Sequence, residues 1–390
     1  MFEVEIVNSI MDVPNQEWDA LNIDDNVFIG YGWLKTTEET FIGDMNPRYI
    51  LVKNSNELVG AAACYILNKV RLVEDLDRLL FERFEHYAAT LGISFMPGFV
   101  CCPIFGYGSH LLIKGGADWR ERKAIITALL DAIEGVASIH RLSPSFIHIT
   151  DDECELQQLL ERRRYSRAVY MPMNYIDIAW KSFEEYRAHL KKASKNIDKV
   201  IRNEMNRNRK EGVTIRVLED LGTYEGRLYK LLNDHCYRHT HMPLMFKRGF
   251  LGKLKEALGE DAVFYVSFKE GVITGVCILL KRNKTGYLAM VGIDHKMAGN
   301  DFTYFNIAYY RPIMDAILNQ TDRLYYGRGF YRLKAKRGCV TKKIYMYYKS
   351  FNGFRNIAVR LWFAFISSWY HYILPETVKK PRISKMCALR

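Results

Sequence analysis

The chain has 390 residues, enough for two core-bearing domains of ordinary size. It is 49% apolar and carries 25 Tyr and 21 Phe, which excludes a disordered chain. A formal charge of +12 favours polyanionic partners: nucleic acid, CoA-like phosphates or an anionic membrane surface.

The opening run "MFEVEIVNSIMD" lacks a basic segment followed by an apolar core, so no signal peptide is expected and a cytoplasmic location is. The eight cysteines form no Cys-x-x-Cys pair, and several lie in apolar runs such as "AAACYIL" and "GVCILL". That pattern suits buried thiols in a reducing compartment better than a disulfide framework.

"YILVKNSNELVGAAACYIL" (Tyr49 to Leu67) reads as a hairpin, with a polar turn at Asn54, Ser55 and Asn56. "FYVSFKEGVITGVCILL" (Phe264 to Leu280) reads the same way, turning at Lys269, Glu270 and Gly271. Aligned without a gap, Tyr49 falls on Phe264, Gly60 on Gly275 and Ala62 on Cys277. Such a repeat predicts two similar lobes. Within the first, a helix is expected near Leu72–Leu91, then the Gly/Pro/Cys-rich crossing "MPGFVCCPIFGYGS". An amphipathic helix runs from Asp118 as N-cap to Ser138. The strand "SFIHIT", the charged helix "DDECELQQLLERRR" and a closing strand in "VYMPMNYIDI" complete that lobe.

The second lobe opens on one long basic helix, with Ser182 and Glu185 as a capping box and Gly212 as its stop. Ten Lys/Arg face four Asp/Glu between positions 181 and 210, a density that suits an RNA backbone or a solvated helical surface. Helices at Tyr224–Tyr237 and Phe250–Leu258 precede the repeated hairpin. A strand "GYLAMVGID" and the corner "HKMAGND" lead into a helix over Thr303–Asn319, where Pro312 predicts a kink. The strand "RLYYG" then enters the turn "YYGRGFYRLKAKRGC", and "KKIYMYYKS" is the last strand. Beyond Gly353 the run "FRNIAVRLWFAFISSWYHYILP" is too short in uncharged residues to span a bilayer. It fits either a helix packed on the body or an interfacial one, with Trp362, Trp369 and Tyr372 at headgroup depth and Lys379, Lys380 and Arg382 on anionic lipid.

Three segments carry a family resemblance: "LKKASKNIDKVIRNEMNRNRKEGVTI", "GNDFTYFNIAYYRPIMDAI" and "RLYYGRGFYRLKAKRG". In order and spacing they resemble the superfamily of Fem-type peptidoglycan aminoacyltransferases and related N-acyltransferases. The resemblance implies an α/β fold with mixed sheets: two GNAT-like acyltransferase lobes plus a C-terminal aromatic helix. Its expected boundaries are 1–178 for the first lobe, 179–350 for a catalytic second lobe and 351–390 for the tail. It also implies transfer of an acyl or aminoacyl group to an amine-bearing small molecule, sugar or peptide. The donor would be acyl-CoA or aminoacyl-tRNA, with no tightly bound cofactor. In this family a lysine after the glycine turn stands beside the reacting centre, which places Lys334 there to stabilise the oxyanion.

Lys336 and Arg337 would then meet donor phosphate. Lys296, Gly299 and Asn300 fit most of the GNAT pyrophosphate pattern, but Asp301 replaces its final small residue. A carboxylate there would repel pyrophosphate, and the alternative is a helix N-cap. In "NDHCYRHTHMP" His235 and His239 share a helix face, with His241 beyond. Without a clear third ligand they predict no metal site. His239 is the candidate proton acceptor in the acceptor pocket. A non-catalytic binding module of the same fold is the competing reading, favoured if Lys334 is committed elsewhere.

Overall fold

The structure is a computed structural model that describes residues 2–68, 77, 85–90, 94–101, 106, 108, 110–169 and 172–373. Most of the helix expected at Leu72–Leu91, half of the crossing after it and the basic tail beyond 373 lie outside these residues. The chain forms two compact units, the first taking residues on both sides of the second.

In the first unit β1 (Glu3–Val7) is followed by α1 (Asn15–Leu21) and α2 (Tyr31–Thr40). The hairpin β2 (Met45–Asn54) and β3 (Glu57–Leu67) turns at Ser55 and Asn56, both at positive φ. Then come α3 (Glu85–Thr90), β4 (Gly98–Cys101), β5 (Leu111–Ile113), α4 (Trp119–Ile139), β6 (Pro144–Thr150), α5 (Cys154–Arg162) and β7 (Ser166–Val169). Asp118 caps α4 as expected, accepting from the N–H groups of Arg120 and Glu121. Ile125, Leu129 and Ile133 of α4 are fully buried against the sheet. A Cβ on Gly60 would stand 2.4 Å from Ile125, so the glycine is what lets α4 settle on β3.

The second unit holds β8 (Met173–Asp177), α6 (Phe183–Ala193), α7 (Ile197–Lys210), β9 (Thr214–Leu218), α8 (Glu225–Thr240) and α9 (Phe250–Leu258). It continues through β10 (Ala262–Lys269), β11 (Val272–Arg282), β12 (Thr285–Ile293) and α10 (His295–Ala298). α11 (Thr303–Phe305), a π-helical turn (Asn306–Tyr310) and α12 (Arg311–Leu318) form one composite helix. β13 (Arg323–Arg328), α13 (Tyr331–Ala335) and β14 (Val340–Lys342) complete the unit. The chain then returns to the first unit as β15 (Ile344–Tyr348) and α14 (Gly353–Ile373).

The sheets run β1-β2-β3-β4-β6-β15-β7 and β9-β10-β11-β12-β13-β8-β14, position matching position. Both repeated hairpins carry a register shift at the same aligned place, after Val52 opposite Gly60 and after Ser267 opposite Gly275. The sixth position is taken by the last strand of the chain, β15, in the first sheet and by the first strand of the second unit, β8, in the second. The strand expected to close the first lobe at Met173–Asp177 therefore lies in the second sheet. The one expected last in the second lobe, Ile344–Tyr348, lies between β6 and β7 of the first. Local pattern cannot distinguish such partners, because only the pairing edge differs.

Other expectations are corrected by local chemistry. The long basic helix is two, since Ser194 leaves helical geometry at φ −150°. Pro312 sits just after the π-helical turn of the composite helix, and the irregularity falls in that turn, one turn earlier. Cys154 is disulfide-bonded, while Cys64, Cys101, Cys236, Cys277 and Cys339 are free thiols. α14 packs on the body by one side: Val359 and Phe363 are buried, while Phe354, Ile357, Leu361, Phe365 and Trp369 stay exposed. No helix among the described residues is long and apolar enough to cross a membrane.

Candidate active site

The second sheet opens at one place. Parallel β12 and β13 pair only at Thr285–Arg323, Gly286–Leu324 and Tyr287–Tyr325. Beyond these pairs, β12 from Leu288 to Ile293 is matched only to β11, so its other edge has no strand partner. Backbone donors and acceptors on such an edge require a partner. Leu288, Ala289, Met290 and Val291 are only half-buried, so the edge can be reached.

On β13 the parting coincides with a bulge. Tyr325 faces Tyr175 and Gly327 faces Asn174 on β8, leaving Tyr326 out of register. Bulges of this kind re-aim a side chain. Tyr326 stacks on Tyr309 of the π-helical turn, with ring centroids 4.7 Å apart and planes 6° apart. Its hydroxyl is buried and has no hydrogen-bond partner. Burial raises its pKa well above the usual phenol value, so it stays protonated.

The glycine turn after β13 curls its carbonyls inward. Gly327, Gly329 and Phe330 all have positive φ. Lys334, from α13, is buried and donates to the carbonyls of Tyr326 (2.6 Å), Arg328 (2.9 Å) and Gly327 (3.3 Å). Asn174 of β8 donates to Gly327 and Gly329 (2.8 and 3.2 Å), and accepts from Thr341. Burial pulls the Lys334 ammonium down to about 8. Its three protons are already placed, so Lys334 shapes the turn on which Tyr326 sits. An oxyanion would have to displace one of these carbonyls. Lys334→Met is expected to cost ~2 kcal/mol in urea unfolding, because buried carbonyls lose a charged donor.

Arg337, expected to meet phosphate, is occupied. It is buried, makes two bonds to Glu204 of α7 (2.9 and 3.0 Å) and lies 3.8 Å over the Phe305 ring. Tyr310 donates to the same carboxylate. This ion pair joins α7 to the turn after α13, with Tyr310 tying the composite helix to the same carboxylate, so Arg337 is not open to a phosphate. Lys336 is exposed.

The corner after β12 differs from the anion site anticipated for it. Lys296 and Asn300 are exposed and Gly299 has φ 54°. Asp301 is buried and accepts from the Thr303 N–H at 2.9 Å, with Lys269 at 3.8 Å. Its carboxylate thus occupies the helix start where a donor phosphate would sit. His239 does not join Lys334. It stands 4.4 Å from His235 and 6.5 Å from His295, which precedes Lys296. A separate cleft of about 970 Å³, lined by Trp180, Phe183, Lys284, Arg311, Asp315 and Asp322, lies at the opposite ends of β12 and β13.

Sequence reading missed Tyr326, Glu204 and His295. Glu204 carried a signal: an acid inside the basic helix, on the side of Ile197 and Ile201. Tyr326 carried none, since a bulge is set by pairing.

Residues 9–366 match the FemAB-like family, described as peptidoglycan biosynthesis and recognition. No curated protein sequence matches the chain. Among solved structures, FemX is similar with a TM-score of 0.55 at 12% identity, over 91% of this chain and 100% of that one. L-PGS from Bacillus licheniformis is similar at 0.50 and 12% identity, over 85% and 95%. A protein of unknown function from Bacteroides thetaiotaomicron gives 0.51 and 13%, over 89% and 99%.

Proposed function

We propose that this chain, which belongs to the FemAB-like family, is an N-acyltransferase that takes an aminoacyl group from tRNA and joins it to an amine. The observation that carries the reading is the unpaired edge of β12 beside the bulge at Tyr326. An extended acyl or aminoacyl end laid along that edge would pair with backbone groups that β13 leaves free. A neutral amine then attacks the acyl carbon, forming the C–N bond. The C–O bond to the ribose breaks, the amine loses a proton and the departing oxygen gains one. Tyr326 supplies a protonated hydroxyl to the developing oxyanion.

Two features favour tRNA over CoA. Asp301 places a carboxylate where CoA pyrophosphate would need cations. Lys191, Lys192, Lys195 and Lys199 are exposed together around the break between α6 and α7, a suitable contact for a polyanionic backbone. The exposed stripe of α14 supports an additional peripheral contact with a membrane surface.

The competing reading, a binding module without chemistry, is favoured by the engagement of Lys334 with carbonyls. A transfer assay with labelled donors separates the two. Amide formation from aminoacyl-tRNA, with acyl-CoA inert, is expected. Turnover with CoA thioesters at similar kcat/KM would reverse the donor assignment, and no turnover with either would leave the binding module.

A further inference from the structure

Three imidazoles converge beside the β12 corner, and neither the proposed transfer nor the fold requires them. α8 presents His235 and His239 one turn apart, and His295 opens α10 directly after β12. Ring nitrogens of all three lie within 4.8 Å of one another. His295 stacks on His235 with centroids 5.8 Å apart and planes at 13°. Among the described residues the acids beside the cluster are engaged elsewhere: Asp234 pairs with Lys230, and Asp294 pairs with Arg227 at 2.8 Å while capping α10. The Nδ1 atom of His235 is buried without a hydrogen-bond partner. Three histidines brought together, one with a buried nitrogen that has no hydrogen-bond partner, offer lone pairs to an occupant that accepts them.

We propose that His235, His239 and His295 bind one divalent transition-metal ion of the zinc class, leaving a fourth position open to water. Three neutral nitrogens suit zinc, cobalt, nickel or copper, and they exclude calcium and magnesium, which take oxygen ligands. Nitrogens ~2.1 Å from a tetrahedral ion stand ~3.4 Å apart, so from separations of at most 4.8 Å the rings close by no more than ~1.4 Å. His239 and His295 are exposed and free to make that adjustment, while His235 is the half-buried anchor. Sequence reading stopped at the helical pair because its third member lies far along the chain, beyond the repeated hairpin.

The ion would brace the donor edge. It would tie His295, and with it the corner at Lys296–Asp301, to α8. That helix already lies against β12, since a Cβ on Gly292 would sit 2.6 Å from the Leu231 carbonyl carbon.

The full chain, stripped with chelator, is titrated with Co²⁺ and then with Zn²⁺, alongside His239→Ala, His295→Ala and His241→Ala. The expected result is a visible tetrahedral Co²⁺ band saturating at one equivalent, displaced by Zn²⁺, with a rise in melting temperature. His239→Ala and His295→Ala change exposed residues, so circular dichroism should show them folded, with affinity on the order of 100-fold weaker or less. His241→Ala should bind as the parent does. Absence of the band, or a band that survives in both ligand variants, overturns the site.

Discussion

Glu204→Gln is expected to destabilise the second unit by ~3–5 kcal/mol. Glu204 and Arg337 are 6% and 4% exposed at their side chains. In such a place the attraction between them offsets a desolvation cost that neither could bear alone. Glutamine keeps the size and one acceptor but removes the charge, leaving Arg337 as a buried cation on the Phe305 ring. It also weakens the acceptor for Tyr310. A urea titration followed by far-ultraviolet circular dichroism reads the loss. The paired replacement of Glu204 by Leu and Arg337 by Met should recover most of it, because a well-packed apolar pair avoids the desolvation cost altogether. A loss below ~1 kcal/mol for Glu204→Gln would mean that water reaches the pair and that α7 is not anchored there.

That ion pair marks where sequence reasoning reaches its limit. The repeat was legible because a hairpin is local: Tyr49 on Phe264 and Gly60 on Gly275 hold even to the matching register shift. The capping of α4 by Asp118 and of α6 by Ser182 was legible for the same reason. The destination of β8 and β15 was not, because both are short apolar strands with no local mark of the sheet they enter. Arg337 was read as a phosphate contact from the company of Lys334 and Lys336, yet its partner lies in α7, 133 residues earlier. Lys334 was read as the lysine beside the reacting centre. Its surroundings, three carbonyls turned inward by positive φ at Gly327 and Gly329, depend on dihedral angles that glycine permits but does not dictate. Asp301 shows the reverse case, where one residue out of pattern signalled that the corner is capped from within.

Tyr326→Phe is expected to lower turnover ~10²–10³-fold, the cost of losing one hydrogen-bond donor to a developing oxyanion. The fold should not register the change. The ring and its 4.7 Å stack on Tyr309 are kept, and the hydroxyl that is lost has no partner in the free protein. Removing an unsatisfied buried hydroxyl is neutral or mildly stabilising. Activity and stability therefore move apart, which a merely structural tyrosine cannot achieve. Lys334→Met moves them together, because it loosens the turn that holds the bulge and removes bonds that the fold uses. Single-turnover transfer to the amine, measured beside urea midpoints for both variants, makes the comparison. Unchanged transfer by Tyr326→Phe would remove the hydroxyl from the reaction. A parallel fall in stability would instead identify it as part of the core, and the donor at the β12–β13 parting would then have to be a backbone N–H.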